Sequence, residues 1–356
     1  WEIYGYHDIQ SVLGDPSTFS SDIHGPAGRS KLQTIATMDP PRHTQLRKLV
    51  SRAFTSKTVA DLEPRIHAIT HELLDQVTDA GHMDIMADFA FLLPVTVIAE
   101  MLDVPASDRD KFKYWSNALV NILERTFQGQ APEPHLLAAF DEIMRYLEAI
   151  VVERQRSPGS DLISALATAS VDGDQLTLHE ICSMCRTLLI AGHETTANLI
   201  GNAMHLLFEH PDSLVRLRAA PELLPSAIEE VLRYRTPSQF FARIATRDAN
   251  VGGQLIRAGQ QIMVFNASGN RDSAVFPDPD RFDITRSPNR HLSLGYGIHY
   301  CLGAGLGRLE ARIGIDALLR RLPDIRLDEQ KAIEPLPSRI VSGLRSLPVR
   351  FTPIAR

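Results

Sequence analysis

The chain has 356 residues, of which 44% are hydrophobic and 22% charged, so it is long enough to bury a large core. Its 37 lysines and arginines against 43 aspartates and glutamates leave a net charge of −6, which argues against a dedicated nucleic-acid-binding protein, because such proteins carry a strongly basic face. Three cysteines are too few for a disulfide scaffold and suit a reducing compartment, so we expect a cytoplasmic protein.

The chain begins without a signal-peptide pattern, and no stretch approaches the ~18 uninterrupted apolar residues of a spanning helix, so we expect no membrane span. It opens at Trp1 within a strand-like alternation that ends at Gly5. We therefore expect the native N-terminus to be missing. Because no repeat or low-complexity linker divides the sequence, we expect residues 1–356 to form a single domain.

Helical periodicity dominates the first two-thirds of the chain. Apolar residues spaced three and four apart predict helices over residues 42–54, 58–79, 89–102, 109–127 and 134–156, with a loop at 129–134. A long helix, Leu178–Glu209, is predicted to begin at a capping box, in which the Thr177 hydroxyl and the Glu180 carboxylate satisfy N–H groups of the first turn. Its middle is apolar on all sides, which indicates burial through the centre of the molecule.

The hydrophobic period changes to two after a helix predicted over residues 223–235. Short strands are expected at 240–246, 250–256 and 260–267, a helix at 302–322, and a C-terminal hairpin at 339–351 that is interrupted at Gly343. The sequence therefore predicts a mainly α fold with a smaller β region.

Cys301 lies in a glycine-rich loop, directly before the last predicted helix. Glycines let the backbone approach a bound group closely, and the positive N-terminal end of a helix favours a thiolate. A thiolate in such a loop is what an axial ligand of heme iron requires. Taken alone, the pattern fits a buried structural cysteine equally well.

At this loop the sequence resembles the cytochrome P450 family of heme-thiolate monooxygenases, in its soluble prokaryotic form. The family's loop reads Phe-x-x-Gly-x-(His/Arg)-x-Cys-x-Gly, and the chain matches it at Gly297, His299, Cys301 and Gly303. Leu294 replaces the family's phenylalanine, which we expect to alter packing under the heme more than ligation. The resemblance implies a cytochrome P450 fold with one heme b (iron protoporphyrin IX) bound through Cys301, in contact with Leu294, Gly295, Gly303 and Ala191.

Glu194 and Thr195 form an acid–alcohol pair midway along the long helix, next to the small residues Ala191 and Gly192. The alcohol can bond a carbonyl one turn earlier and loosen the helix, and the acid can relay protons. The pair resembles that of the family, which implies a catalytic role in supplying protons and holding oxygen. A zinc-protease motif is excluded because Ala197 stands where the second histidine would be.

Glu230 and Arg233 lie three apart on one helix face, a spacing that is usually a surface ion pair. The resemblance instead implies a pair buried behind the heme and joined by an arginine from a later loop, for which Arg281 is the candidate. We interpret all three as structural.

Heme propionates require cations when they are buried. His43 and Arg47 lie four apart and share a helix face, and the resemblance assigns them to the propionates together with Arg243 and His299.

Two further patterns are given structural or partner-binding interpretations. Cys182 and Cys185 spell C-x-x-C within a helix and are interpreted as small buried hydrophobic residues. A basic cluster on the predicted helix at 42–54 is either a solvated face or a docking surface for an acidic ferredoxin or flavodoxin. It consists of Arg42, Arg47, Lys48 and Arg52.

The resemblance covers essentially the whole chain and implies insertion of one oxygen atom from O₂ into a hydrophobic small molecule. Electrons would come from a ferredoxin or flavodoxin with its reductase, since the chain shows no flavin or nicotinamide motif. Two alternatives stay open, a peroxide-driven enzyme, which Glu194 and Thr195 together argue against, and a heme-based sensor, for which no output domain is visible. The substrate pocket is expected to be lined by residues 23–36, 111–135, the helix near Ala191, and Phe240 and Phe241.

Overall fold

The computed structural model describes residues 1–23, 34–127, 129–159, 161–171 and 174–353. Its α-helices are α1 (Tyr6–Gly14), α2 (Arg42–Val50), α3 (Ser56–Asp61), α4 (Glu63–Asp75), α5 (Leu92–Met101), α6 (Arg109–Phe127), α7 (Pro134–Arg156), α8 (Leu162–Thr168), α9 (Leu178–Glu209), α10 (Pro211–Ala219), α11 (Leu224–Tyr234), α12 (Asn266–Gly269) and α13 (Ala304–Arg321) within these ranges. Short 3₁₀ turns lie at Ile35–Thr37, Ser51–Phe54, Ala106–Asp108, Pro221–Leu223 and Gly297–His299, and a π-helix at Met86–Ala90.

The strands are short and fall into small sheets. They are β1 (Glu2–Ile3), β2 (Phe19–Ser20), β3 (His82–Asp84), β4 (Ser170–Val171), β5 (Asp174–Gln175), β6 (Phe241–Ala245), β7 (Ala249–Val251), β8 (Gln254–Ile256), β9 (Gln261–Val264), β10 (Arg326–Leu327), β11 (Glu334–Pro335), β12 (Leu344–Ser346) and β13 (Pro348–Arg350). One sheet has the order β1-β9-β6-β2 and a second has the order β10-β13-β3, while β4-β5, β7-β8 and β11-β12 are two-stranded ribbons. The predicted mainly α fold with a smaller β region is confirmed.

Most predicted helices occur close to their expected positions. Those over 109–127, 134–156 and 178–209 have the predicted bounds, whereas the helix predicted over 58–79 is divided between α3 and α4. The helix predicted over 89–102 begins as a π-helix, and the one over 42–54 ends in a 3₁₀ turn. The first helix, α1, was not predicted, although Tyr6, Ile9, Val12 and Leu13 give it a buried stripe at helical spacing.

The predicted capping box opens α9. The Glu180 backbone N–H donates to the Thr177 hydroxyl oxygen at 3.2 Å, and the Thr177 N–H donates to the Glu180 carboxylate at 2.9 Å. Both N–H groups would otherwise lack an intrahelical partner. The capping box thus defines where the helix that carries Ala191, Glu194 and Thr195 begins.

The predicted C-terminal hairpin over 339–351 is wrong. β12 pairs antiparallel with β11, whereas β13 pairs with β10 and β3, so the two consecutive strands do not pair with each other. Only one residue, Leu347, separates them. A single connecting residue is too short for the two-residue turn of the tightest common hairpins, and each strand finds its partner elsewhere in the chain.

The chain forms two compact units. The first comprises residues 1–23, 59–93 and 195–356, and the second comprises 24–58 and 94–194. In the first unit, the buried stripe of α1 shares a hydrophobic core with β6, β8 and β9, to which the strands contribute Ala245, Ile256, Ile262 and Val264. In the second unit, α6 packs on α7 through Phe112, Trp115 and Tyr146, and α7 packs on α8.

Within the described ranges, none of the helices combines the length and apolarity needed to cross a membrane.

Candidate active site

Cys301 closes an eight-residue turn, residues 294–301, in the first unit. Its backbone N–H donates to the Leu294 carbonyl at 2.8 Å, and Gly295 and Gly297 adopt φ values of 76° and 69°, which favour glycine. A Cβ at Gly297 would lie 2.8 Å from the Leu13 carbonyl oxygen, so no larger residue fits there. Sequence reasoning placed the helix directly after the cysteine, but α13 begins at Ala304 with Gly303 as its N-cap.

The surroundings of this turn fit a large flat ligand. A methyl group at Gly303 would meet no heavy atom within 4 Å, so the backbone borders open space beside Cys301. The Phe241 ring lies 3.9 Å from the Cβ position of Gly295, which brings the start of β6 to the turn. His299 hydrogen-bonds the Ser21 hydroxyl through Nε2 at 2.9 Å, and Leu294 is half-buried. A thiol that can ligate iron, an imidazole that can donate to a propionate and open space beside glycine fit the binding of heme b.

The middle of α9 carries the acid–alcohol pair. Ala191 is exposed and Thr195 half-buried within a helix whose neighbouring residues are otherwise almost all buried, and their spacing of four places them on one face. Glu194 is buried, and burial, followed by the nearby Glu124 carboxylate, raises its pKa to about 7. It is therefore partly protonated at neutral pH and can donate as well as accept a proton.

Gly192 allows close packing on α5 within the second unit. A Cβ there would lie 2.9 Å from the Ile98 side chain of α5. The next residue, His193, is buried, and its Nδ1 lies 2.8 Å from the Ser116 hydroxyl oxygen on α6. Sequence reasoning missed this link, because nothing in a single sequence connects a serine in one helix to a histidine in another.

Glu230 and Arg233 form a fully buried ion pair, at 2.8 Å, as the resemblance implied. The loop arginine that joins them is Arg286, whose Nε lies 3.2 Å from Glu230, and not Arg281. The Arg281 side chain is 70% exposed and lies 4.0 Å from Asp283, whereas its backbone carbonyl accepts hydrogen bonds from Arg233 and Arg286. The sequence expectation failed because both arginines lie in one irregular loop, where spacing does not fix side-chain direction.

The predicted propionate cations are divided between the two units. In the second, His43 is buried and Arg47 half-buried on α2, and burial, then Arg47, lowers the pKa of His43. A neutral imidazole still offers an N–H to a carboxylate. In the first, Arg243 is buried on β6 and donates to the Ala242 carbonyl at 2.8 Å, and His299 lies in the cysteine turn.

A second ion-pair network lies beside the cysteine turn and was not predicted. Arg308 on α13 holds the Glu229 carboxylate with two hydrogen bonds of 2.6 and 2.7 Å and reaches the Tyr300 hydroxyl at 3.3 Å. His291 also contacts Glu229, at 3.0 Å. Burial acts to raise the pKa of Glu229, but these hydrogen bonds outweigh it and lower the pKa to about 2. The sequence signal that could have revealed this network is Glu229, an acid next to Glu230, which was itself predicted to be buried.

The remaining sequence interpretations divide into three. Cys182 and Cys185 are buried within α9, and burial raises the pKa of the Cys182 thiol to about 12, so it is not a thiolate at neutral pH. In the basic cluster, Arg42 is paired with Glu180 at 2.7 Å. Lys48 and Arg52 of the same cluster are exposed. Of the expected pocket lining, residues 24–33 and 128 lie outside the described residues, while Phe240 is buried and Phe241 half-buried.

The mainly helical fold and the donor set of the cysteine turn define a heme-binding oxidoreductase. The family model "Cytochrome P450" matches residues 2–351. The chain is 44% identical to cytochrome P450 107B1 of Saccharopolyspora erythraea, over 98% of this chain and 89% of that protein, and 41% identical to cytochrome P450 monooxygenase PikC of Streptomyces venezuelae, over 99% and 85%. The structure of substrate-free CYP109E1 from Bacillus megaterium superposes with a TM-score of 0.93 at 39% identity, covering 99% of this chain and 93% of that one.

These matches show that the chain belongs to the cytochrome P450 family. It is a monooxygenase of that family, and the predicted heme b cofactor is confirmed.

Proposed function

We propose that the chain inserts one oxygen atom from O₂ into a hydrophobic small molecule, with Cys301 as the iron ligand and electrons from a separate ferredoxin or flavodoxin with its reductase. The observation that carries this proposal is the cysteine turn, which presents Cys301 beside open space at Gly303, with the Phe241 ring against the turn at Gly295. Heme b, when bound, supplies the activation of O₂.

The chain's own residues have distinct tasks in this reaction. Glu194, whose pKa is near 7, gives and regains a proton at its carboxylate, and the Thr195 hydroxyl, one residue later on the exposed face of α9, accepts and passes on that proton. Arg243 and His299 in the first unit, and His43 and Arg47 in the second, would hold the propionates. Leu294, Gly295, Gly303 and Ala191 would border the ring.

The substrate class is supported by apolar residues and by the relatives. Phe240, Phe241 and the small Ala191 suit an apolar ligand. One similar structure, P450BioI, was determined with an acyl carrier protein ligated to hexadec-9Z-enoic acid, with a TM-score of 0.91 at 38% identity, and CYP109E1 was determined with testosterone. A C16 monounsaturated fatty acid and testosterone are therefore the first probes. The cytoplasmic location and the single domain stay predictions.

The proposal is tested with the purified holoenzyme and Cys301→Ser. Reduction under carbon monoxide should give the long-wavelength Soret band of a thiolate-ligated heme in the wild type, and the variant should lose it. Turnover under ¹⁸O₂ with a ferredoxin and its reductase should then place one labelled oxygen in the product.

Three outcomes would contradict the proposal. A wild-type spectrum without that band would remove Cys301 as the ligand. Product formed with hydrogen peroxide but not with O₂ and electrons would favour the peroxide-driven alternative. Tight binding of carbon monoxide with no product from any probe or electron source would favour the sensor.

A further inference from the structure

His193 is a buried titratable residue that the proposed reaction does not use. Its Nδ1 lies 2.8 Å from the Ser116 hydroxyl oxygen, which joins α9 to α6. Burial lowers the pKa of His193 to about 4, although the hydrogen bond with the Leu189 carbonyl acts in the opposite direction. At neutral pH the ring is uncharged, so the link is a neutral hydrogen bond in a low-dielectric interior. Breaking it there would leave buried polar groups without a partner, which is costly.

The next residue, Glu194, is influenced by the same helix. Of the two causes that raise its pKa, burial and the Glu124 carboxylate, the second comes directly from α6. The Glu124 carboxylate acts on Glu194 and the Lys113 ammonium acts on His193, and both residues belong to α6. On α5, the apolar Ile98 lies against Gly192. Any movement of α6 away from α9 would therefore change the surroundings of Glu194.

Apolar contacts also hold α6 within the second unit. Phe112 and Trp115 are buried and pack against Tyr146 of α7. Apolar packing of this kind is not directional, so it tolerates small displacements that a hydrogen bond does not. The Ser116–His193 bond is thus a directional link between α6 and α9, next to the acid.

We infer that His193 is a positioning residue, which holds α6 against α9 through Ser116 and so keeps Glu194 dry and in the protonated form that can donate. This inference rests on the proposed function, because it concerns the acid that supplies protons to the reaction. It assigns a task to a buried histidine that has no part in the proposed proton transfer.

Ser116→Ala removes the link with the smallest change in volume, and His193→Phe removes it from the other side. Product formation by each holoenzyme is measured as a ratio to the wild type from about pH 5.5 to about pH 8.5, so that any pH dependence of the electron donor cancels. Loosening α6 should lower the pKa of Glu194 by about one unit, because water enters and Glu124 recedes. The ratio should then be near one at the acidic end and fall about tenfold at the alkaline end.

Two matched variants sharpen the test. Glu124→Gln removes only the neighbouring charge. It should also lower the pKa of Glu194 and so shift the alkaline limb of the pH–activity profile to lower pH. Ser164→Ala removes another buried hydroxyl in the same unit, one that bonds Gly159 and Asp161, and should leave the ratio independent of pH. An activity ratio for Ser116→Ala that is the same at every pH would overturn the inference, because a purely structural loss lowers activity equally at every pH. A shift of the alkaline limb to higher pH would overturn it as well.

Hydrogen exchange gives a readout that needs no turnover. The backbone amides of α6 should exchange faster in Ser116→Ala than in the wild type, and unchanged exchange would also overturn the inference. Failure of the proposed function is recognised separately, since it would appear as a wild-type enzyme that forms no product with O₂ and electrons.

Discussion

At the scale of single residues, Glu230 shows how a charge is kept in the interior. Its two carboxylate oxygens accept from Arg233, Arg286, Asn289 and the Asp283 backbone N–H, all at 3.3 Å or less. A buried ion is tolerated only when such donors fill its lone pairs, because each charge has lost its hydration. The loop that precedes the cysteine turn is therefore fastened through side chains and not through regular secondary structure.

Arg286→Ala should destabilise the protein far more than Arg281→Ala. The first leaves part of a buried charge unpaired, at a cost on the order of 3 kcal/mol, whereas the second removes a side chain that is 70% exposed and should change stability by less than about 0.5 kcal/mol. Urea unfolding of both variants measures the difference. Equal losses would mean that the carboxylate does not depend on Arg286.

Glu229 should stabilise the fold in a pH-dependent way. Its pKa is about 2 when folded, below the ordinary value of 4.5, so its contribution is fully present above pH 4.5 and is lost as the pH falls towards 2. The gap in the free energy of unfolding between wild type and Glu229→Gln should therefore shrink as the pH is lowered from 6 to 3.5, a range chosen to lie on both sides of about 4.5. Glu222→Gln, at an exposed acid on the turn before α11, is the control and should show no such trend. A gap that stays constant would show that Arg308 and His291 do not stabilise the charged form.

At the scale of elements, α9 is fitted to its neighbours by glycines on the opposing surfaces. A Cβ at Gly343 would overlap the side-chain amide of Asn198, so the segment before β12 lies directly on α9. Asn202, one turn further along, donates from Nδ2 to the Ser342 carbonyl at 3.1 Å and the Arg235 carbonyl at 3.2 Å. One face of the helix thus positions the segment before β12 and the end of α11.

Gly343→Ala should destabilise the protein by about 2 kcal/mol, because it over-packs this contact, and Asn198→Ala should recover part of the loss in the double variant. Gly305→Ala, on an exposed position of α13 whose nearest neighbour lies at 3.9 Å, is the matched control and should stabilise by up to about 1 kcal/mol through helix propensity. Thermal unfolding of the wild type and these four variants, including Asn198→Ala alone, gives the comparison. Additive effects of the Gly343 and Asn198 changes would argue against direct contact.

The elements also show where sequence reasoning succeeds. Periodicity and caps predicted α6, α7 and α9 with their bounds, because these helices are long and carry local signals such as the Thr177–Glu180 box. The strand pairs of β12 and β13 were missed since pairing depends on residues far away in the sequence, such as β3 and β10. The same limit explains the choice of Arg281 over Arg286 and the absence of the Ser116–His193 link from the sequence expectations.

At the scale of the whole molecule, a net charge of −6 coexists with a local basic surface on α2 and the turn after it. Arg42 is neutralised by Glu180, so Lys48 and Arg52 are the exposed cations of the cluster. Overall charge decides solubility, whereas a local patch decides how an acidic electron donor approaches. The two need not have the same sign.

Lys48→Glu should slow reduction of the enzyme by an acidic ferredoxin several-fold at low salt, and raising the ionic strength should remove most of the difference. Lys331→Glu makes the same change in net charge at an exposed position in the first unit and should have a smaller effect. Stopped-flow reduction under carbon monoxide measures both rates. Equal slowing by the two variants would assign the effect to net charge and not to docking at α2.

The anchoring of Glu230 also sets an order of events during synthesis. The three donors from the later loop are 53, 56 and 59 residues further along the chain, so they leave the ribosome well after α11 itself. Until they arrive, α11 would have to bury a carboxylate with only Arg233 beside it, which is unfavourable in an apolar interior. Cys301 emerges twelve residues after Asn289, the last of these donors. The donors to Glu230 are therefore synthesised just before Cys301, the proposed iron ligand, so the cysteine turn can form on a segment that is already anchored.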